Sequence, residues 1–386
     1  MRKPVYIICG GTGGHLAPGI ATAQRFLEEQ IPVELIISEK EVDSRLLKAY
    51  PDIPYKRAKG APFGWKPGRL LRFIYGSVFG FFQSFGLLKD NRPAAIIAFG
   101  GYLSVSFVIA AWLLKVPVVL HEANRKAGRS IRTLANMADR IYLPDGVGLH
   151  GTEARRIRRL NMPLRREVHH ILKEEIRTQL GIPMHAKVLA VVGGSQGAQA
   201  LNEWVEANRN SLAADGIWIF LVTGPGKQAL PEKETFTSDA GAHVECRTFA
   251  FHSALHELFS AADVVISRAG AGTIAEMIHC LSPSILIPYP YAADQHQLAN
   301  ARDLEQRGGC ILVEQTQLDG LYREVLDLIF NDWLLGRIRS NLRRLIHGDA
   351  ATEICRYVMR QYIHPVEGPG LSGKPADKEA FKHGIA

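Results

Sequence analysis

Two open α/β halves facing each other across a cleft are what this sequence predicts, and three observations predict it. The chain opens on a strand, a glycine-rich loop, a helix and a second strand, the unit from which open α/β sheets are built. That opening is echoed at 187–205, where a strand runs into Gly193-Gly194-Ser195-Gln196-Gly197-Ala198 and then a helix. A third strand–loop–helix–strand unit spans 264–300, and its small-residue loop would let a backbone approach an anion. The length of 386 residues suits two domains, each able to bury a core.

Taken in order, residues 5–9 are a buried-strand run, Gly10-Gly11-Thr12-Gly13-Gly14-His15 a loop, Ala17 to Glu28 a helix and Val33 to Ile37 a strand. A dinucleotide fingerprint needs a third small residue where Leu16 stands, which weighs against a nicotinamide or flavin site. His15 has two readings, a general base or a structural capping group. Residues 62–88 are aromatic-rich, with Lys66, Arg69 and Arg72 at the front. They read as a core helix. They also read as an interfacial one, because Phe73, Ile74, Val78, Phe79, Phe81, Phe82 and Phe85 are wider than one helical face.

Ala94 to Phe99 is a strand entering Gly100-Gly101-Tyr102, a helix follows through Leu114, and Val116 to Leu120 is a strand ending at His121-Glu122-Ala123-Asn124. Polar residues just past strand ends are where an α/β fold holds ligands. After the strand Arg140 to Leu143, the basic segment 155–166 is either a solvated linker face or a set of arginines placed to meet a diphosphate. In the second half, strands are expected at Lys187 to Val192, Trp218 to Thr223 and His243 to Arg247, the last leading to Phe249-Ala250-Phe251-His252. Helices are expected at 318–330, 333–345 and 353–362, and the composition from His364 onward is that of a disordered tail.

Within 264–300, Thr273 is expected to open a helix ending before Pro283. Two roles are open to Thr273-Ile274-Ala275-Glu276. It can be a capping box, in which Glu276 folds back on the cap, or Glu276 can reach a ribose hydroxyl pair.

Composition narrows the class. A 47% hydrophobic, 22% charged chain is ordinary for a soluble protein, and five scattered cysteines (Cys9, Cys246, Cys280, Cys310, Cys355) without a CxxC read as buried small hydrophobes in a reducing compartment. The apolar run at the N-terminus is a first strand rather than a signal peptide. The uncharged stretch 73–88 falls short of the roughly 18–20 residues that span a bilayer. The formal net charge of +8 points to an anionic partner, whether nucleic acid, acidic membrane or phosphorylated substrate.

Six motifs carry a resemblance: 10–15, 100–102, 121–124, 193–198, 267–276 and 294–301 stand in the order and approximate spacing of the MurG family. The resemblance covers residues 4–362 and implies a GT-B fold of two Rossmann-like domains with parallel sheets facing a central cleft. It implies an acceptor and membrane-associating domain over 1–160 and a UDP-sugar-binding domain over 161–345. A helix at 346–363 would pack back on the first domain, and the tail would be 364–386.

The implied activity is inverting transfer of GlcNAc from UDP-GlcNAc to the C4 hydroxyl of MurNAc in lipid I (undecaprenyl-pyrophosphoryl-MurNAc-pentapeptide). The products are lipid II and UDP, and the enzyme would act peripherally at the cytoplasmic face of the bacterial inner membrane, on an anionic surface, with no nucleic-acid partner. His15 is the first candidate base, with Glu122 behind it. Loop 268–273, with Arg268, Ala271, Gly272 and Thr273, would hold the diphosphate, and Ser195 the phosphates. Glu276 would hold the ribose, Gln297 beside His296 the sugar hydroxyls, and the backbone near Phe251-His252 the uracil. Thr12, Gly13, Gly14, Tyr102, Asn124 and Arg165 would line the cleft from the other side. Arg268 or Arg165 would offset charge on the leaving diphosphate. No D-x-D triplet occurs, so no metal held by that motif and no cofactor is expected.

This chain departs from the usual pattern in having Ala123 where Gln is common, Asn161-Met162-Pro163-Leu164-Arg165 for GNPVR, and Gly272 for Leu. Two alternatives keep much of the same architecture. A UDP-GlcNAc 2-epimerase would need no membrane contact, and a non-catalytic UDP-sugar-binding membrane protein would lose the base.

Overall fold

The computed structural model describes residues 2–10, 13–39, 46–60, 67–194, 197–227 and 230–364, with the side chains of 67–74 excepted. Thr12, Ser195, Gln196, Lys66 and the tail from 365 lie outside the described residues, as do the side chains of Arg69 and Arg72. Two seven-stranded sheets organise the chain. The first holds β1 (Val5–Ile8), β2 (Val33–Ser38), β3 (Tyr55–Ala58), β4 (Ala95–Ala98), β5 (Val118–His121), β6 (Arg140–Leu143) and β7 (Ile157–Arg159). Its order is 3-2-1-4-5-6-7, parallel throughout. The second holds β8 (Lys187–Val192), β9 (Ile217–Val222), β10 (Lys233–Thr237), β11 (His243–Phe249), β12 (Val264–Ser267), β13 (Ser284–Leu286) and β14 (Ile311–Leu312). Its order is 10-11-9-8-12-13-14, and only the β10–β11 pair is antiparallel.

Strands covered by helices on both faces read as unbroken apolar runs, and β1, β4 and β12 are buried at every position. Three of the four edge strands obey a different rule. β3 (Tyr-Lys-Arg-Ala), β7 (Ile-Arg-Arg) and β10 (Lys-Glu-Thr-Phe-Thr) carry charged and polar residues because an edge strand must resist pairing with other chains. Part of the expected basic linker face is therefore the edge strand β7, and β3 and β10 are additions to the expected strands. The helix Lys173–Leu180 is likewise an addition, and the first helix begins at Gly13 rather than Ala17.

In a doubly wound sheet the crevice lies beyond the carboxyl ends of the strands flanking the point where the order reverses. That point falls between β1 and β4 in the first sheet and between β8 and β12 in the second. The loops that leave there are the ones around His15 and Gly100 on one side, and around Gly193 and Gly270 on the other.

The helix Ala350–Val358 crosses back from the second half to the first. Ile354, Cys355 and Val358 are fully buried among Val5, Ile7, Ile20 and Phe26. Ile354→Ala is expected to cost about 2–3 kcal/mol of stability by opening a cavity in the first half's core, read as a lower urea midpoint.

The helix Pro67–Asp90 divides its aromatics between two faces. Phe81 and Phe85 pack on the first half's core, and Leu88 is fully buried there. Tyr75 (74% exposed), Val78, Phe79 and Phe82 (68%) face outward, and Lys59 Nζ stands 5.3 Å from the Phe79 ring centroid. No helix among the described residues is long and apolar enough to cross a membrane.

Candidate active site

On the first-half side, His15 occupies the first turn of the helix Gly13–Glu28 and lies beside the turn at Gly100-Gly101. Those glycines have φ of 95° and 79°, a left-handed backbone that side chains resist. A Cβ on Gly101 would sit 3.3 Å from the His15 ring. The two glycines thus let the chain turn and leave room for the imidazole. Tyr102 follows directly, its ring close over Gly60.

Glu122 is engaged by the loop that follows it. Its Oε1 accepts the Asn124 backbone N–H at 2.9 Å and the Asn124 side-chain amide at 2.8 Å, and its Oε2 accepts the Gly128 N–H at 2.7 Å. A buried carboxylate with both oxygens committed to three N–H donors is a staple for the loop 122–128, not a free base. These bonds weigh against Glu122 as the base behind His15, and His15 stays the first candidate. His121 is fully buried, and burial lowers its pKa, so the ring is neutral; its Nε2 meets the Asn161 carbonyl at 2.9 Å.

On the second-half side, the helix Ala271–His279 starts two residues earlier than expected, after an N-cap at Gly270 that makes no side-chain cap bond. Thr273 is then the third helical residue, and the capping-box reading of Thr273 and Glu276 fails. Ala271, Gly272 and Thr273 instead form a bare first turn whose N–H groups have no intrahelical acceptor, the geometry that receives an anion. Arg268 is not aimed at that turn. Its Nη1 donates to the carbonyls of Ile287 (3.1 Å) and Pro288 (3.4 Å), and its Nη2 to Gln315 Oε1 (2.6 Å). The guanidinium thus braces the segment 287–288 and Gln315, and these bonds weigh against Arg268 as the main diphosphate contact.

Glu276 is buried and turned toward Arg165, whose Nη2 lies 2.9 Å from Glu276 Oε1. Arg165 does not line the opposite wall of the cleft. It sits in the strap joining the halves, 5% exposed, with Nη1 donating to the Tyr50 hydroxyl at 3.0 Å and Glu167 3.6 Å away. Burial lowers the guanidinium pKa, but Glu276, Tyr50 and Glu167 together raise it above its usual value, so the cation is secure. Burial pushes the Glu276 pKa up while Arg165 pulls it down.

Gln297 Oε1 accepts the Tyr289 N–H at 2.9 Å, and His296 Nδ1 lies 2.7 Å from the Ala293 carbonyl. Both open the helix His296–Gln306, which follows two consecutive left-handed residues, Asp294 (φ 52°) and Gln295 (φ 55°). Strain of that kind persists where surroundings over-determine it. Here Asp294 is held by Arg129 (3.4 Å) and Arg132 (3.0 Å) from the other half. His252 is driven neutral by burial, its ring is edge-on to Phe249 at 5.1 Å, and its buried Nδ1 has no protein partner.

One residue outside the expected set joins both sides. Asn300 donates from Nδ2 to Asn124 Oδ1 (3.1 Å) and to the Ala269 carbonyl (3.1 Å), and its Oδ1 accepts the Arg125 N–H (2.8 Å). Its position three residues after Gln297 on one helix, hence on a shared face, was the available signal.

Residues 5–143 match the family model described as the glycosyltransferase family 28 N-terminal domain, and residues 188–335 match the corresponding C-terminal domain. A protein of Opitutus terrae named UDP-N-acetylglucosamine--N-acetylmuramyl-(pentapeptide) pyrophosphoryl-undecaprenol N-acetylglucosamine transferase is 45% identical over 97% of this chain and 98% of its own length. A protein of the same name from Protochlamydia amoebophila is 30% identical over 93% of this chain and 96% of its own. Among solved structures, Acinetobacter baumannii MurG shares the fold with a TM-score of 0.69 at 24% identity, covering 93% of this chain and 99% of that one.

Proposed function

Since this chain belongs to glycosyltransferase family 28 and, within it, to the MurG family of UDP-GlcNAc-dependent N-acetylglucosaminyltransferases of peptidoglycan synthesis, we propose how its own residues carry out the transfer. The C4 hydroxyl of the lipid-linked MurNAc attacks the donor's anomeric carbon. The bond from that carbon to the diphosphate oxygen breaks, UDP leaves, and the hydroxyl proton passes to the His15 imidazole.

The observation that carries this reading is the pairing of two crevices across one seam. A histidine stands at the first sheet's switch point, and an uncapped helix N-terminus stands at the second's. The amides of 271–273 stabilise charge on the leaving diphosphate, where fixed dipoles need no reorganisation. Glu276, paired with Arg165, takes the ribose hydroxyls, and Gln297 takes those of the sugar. Glu122 and Asn300 position Asn124 at the meeting of the two halves, which fixes how the substrates approach each other. Acceptor-dependent UDP release from UDP-GlcNAc, with a short-chain lipid I analogue and a disaccharide-lipid product, tests the whole reading. Binding of UDP-GlcNAc without any such release defeats it.

The outward face of helix Pro67–Asp90 is assigned to an anionic membrane surface at the cytoplasmic side of the inner membrane, where a lipid-linked acceptor resides. Exposed Tyr75, Val78, Phe79 and Phe82 supply apolar area, and Lys59 supplies charge beside it. Tyr75→Ser combined with Phe82→Ser is expected to reduce co-sedimentation with anionic vesicles about tenfold or more, since burying one large apolar side chain is worth about 1.5–3 kcal/mol. Unchanged sedimentation assigns the membrane contact elsewhere.

A further inference from the structure

The strap between β7 and the helix Lys173–Leu180 is pinned at several points within a few residues. His121 Nε2 meets the Asn161 carbonyl at 2.9 Å, Arg165 meets Glu276, and the Arg166 N–H donates to Gln24 Oε1 at 3.1 Å. Between these pins, Met162 is buried, although it lies in a connecting segment. Its side chain ends on the first turn of the helix Ala271–His279. A Cβ built on Gly272 would stand 3.3 Å from Met162 Cε and 3.8 Å from Sδ, with no other contact within 4 Å. Met162 and Gly272 are two of the positions at which this chain departs from the pattern it resembles, and in the fold they touch.

Glycine inside a helix costs stability relative to alanine, so its presence in a first turn calls for a local reason. Gly272 has an ordinary helical backbone, with no left-handed φ to account for it. The Met162 thioether, adaptable in shape, occupies the space a side chain would take. We propose that Met162 is a positioning residue that seats on the bare Cα of Gly272. It thereby sets the spacing between the strap and the anion-receiving turn 271–273. The proposal rests on the donor-site reading above.

The seat makes the two positions non-additive. Gly272→Leu drives a side chain into Met162, displaces the strap, lowers the thermal midpoint and weakens UDP-GlcNAc binding about tenfold, a size typical of a misplaced site or a strained contact pair. Met162→Ala alone weakens binding about threefold, within the range of small losses in positioning. The double variant Gly272→Leu with Met162→Ala recovers most of both losses, because the leucine then fills the space the methionine vacates.

Thermal midpoints and calorimetric dissociation constants for UDP-GlcNAc, measured on the full chain, decide it. Recovery in both supports the seat. Additive midpoints, or a Gly272→Leu protein indistinguishable from the parent, overturn it. Coupled midpoints with additive dissociation constants overturn the positioning role. A parent protein that does not bind UDP-GlcNAc overturns the donor reading and the role with it, while the midpoints alone still judge the packing.

Discussion

His15→Ala is expected to bind UDP-GlcNAc as tightly as the parent and to turn over about 10²–10⁴-fold more slowly, the usual contribution of a positioned general base. The obvious substitute is engaged elsewhere. Glu122, the nearest carboxylate in the motif that suggested a second base, already accepts from Asn124 and Gly128. The imidazole is set by the helix turn that carries it and by the room left at Gly100 and Gly101, so its removal leaves neighbouring backbone in place. The effect therefore belongs in kcat, measured at saturating donor and acceptor, with the calorimetric donor affinity unmoved. A His15→Ala protein with parental kcat assigns the proton to another acceptor. One with lost donor affinity and intact kcat makes the histidine a structural part of the crevice.

The second large effect is Arg165→Met, which removes the charge while keeping much of the volume. Removing one partner of a buried ion pair costs about 3–5 kcal/mol, because the other charge is left unpaired in a poor solvent. Glu276 is that partner. Burial already raises its pKa, and without Arg165 nothing opposes the rise. The sign of the pH dependence follows. A carboxyl whose folded pKa is raised is best tolerated when protonated, so the variant's deficit is small below the ordinary carboxylate range and deepens as pH rises through the raised value. Urea midpoints across pH for parent, Arg165→Met and Arg165→Met with Glu276→Gln check this. The double variant is expected to regain most of the stability, because the charge is gone, and to remain poor in donor affinity. A pH-independent deficit contradicts the unpaired-charge account.

Much of the fold was legible because the informative parts repeat. The buried strands and the glycine loops at the two switch points are local patterns, and the loops around His15 and Gly193 could be placed from them. The edge strands β3, β7 and β10 were not, since exposure and charge make them read as linker. In the site, the sequence singles out the turn 271–273 and Glu276 as candidate ligand contacts, but not the partners the fold gives to Glu276 and its neighbours. Arg268 reaches carbonyls 19 and 20 residues away and a glutamine 47 away, and Arg165 reaches Glu276 across 111 residues. An arginine beside a glycine loop suggests a phosphate ligand from sequence, and only the tertiary fold reveals the three hydrogen bonds it makes to protein partners. The contact of Met162 with Gly272 was hidden in the same way.

The return of helix Ala350–Val358 to the first half has a bearing on how the molecule is made. Synthesis runs from the N-terminus, so the first sheet emerges from the ribosome long before the residues that complete its core. Until Ile354, Cys355 and Val358 arrive, the pocket beside Ile20 and Phe26 stays uncovered, while the second half, whose buried core is drawn from 168–342, can finish first. The domain encoded first is thus the one that matures last, and nascent chains released short of residue 350 carry an unsealed, aggregation-prone first half beside a finished second one.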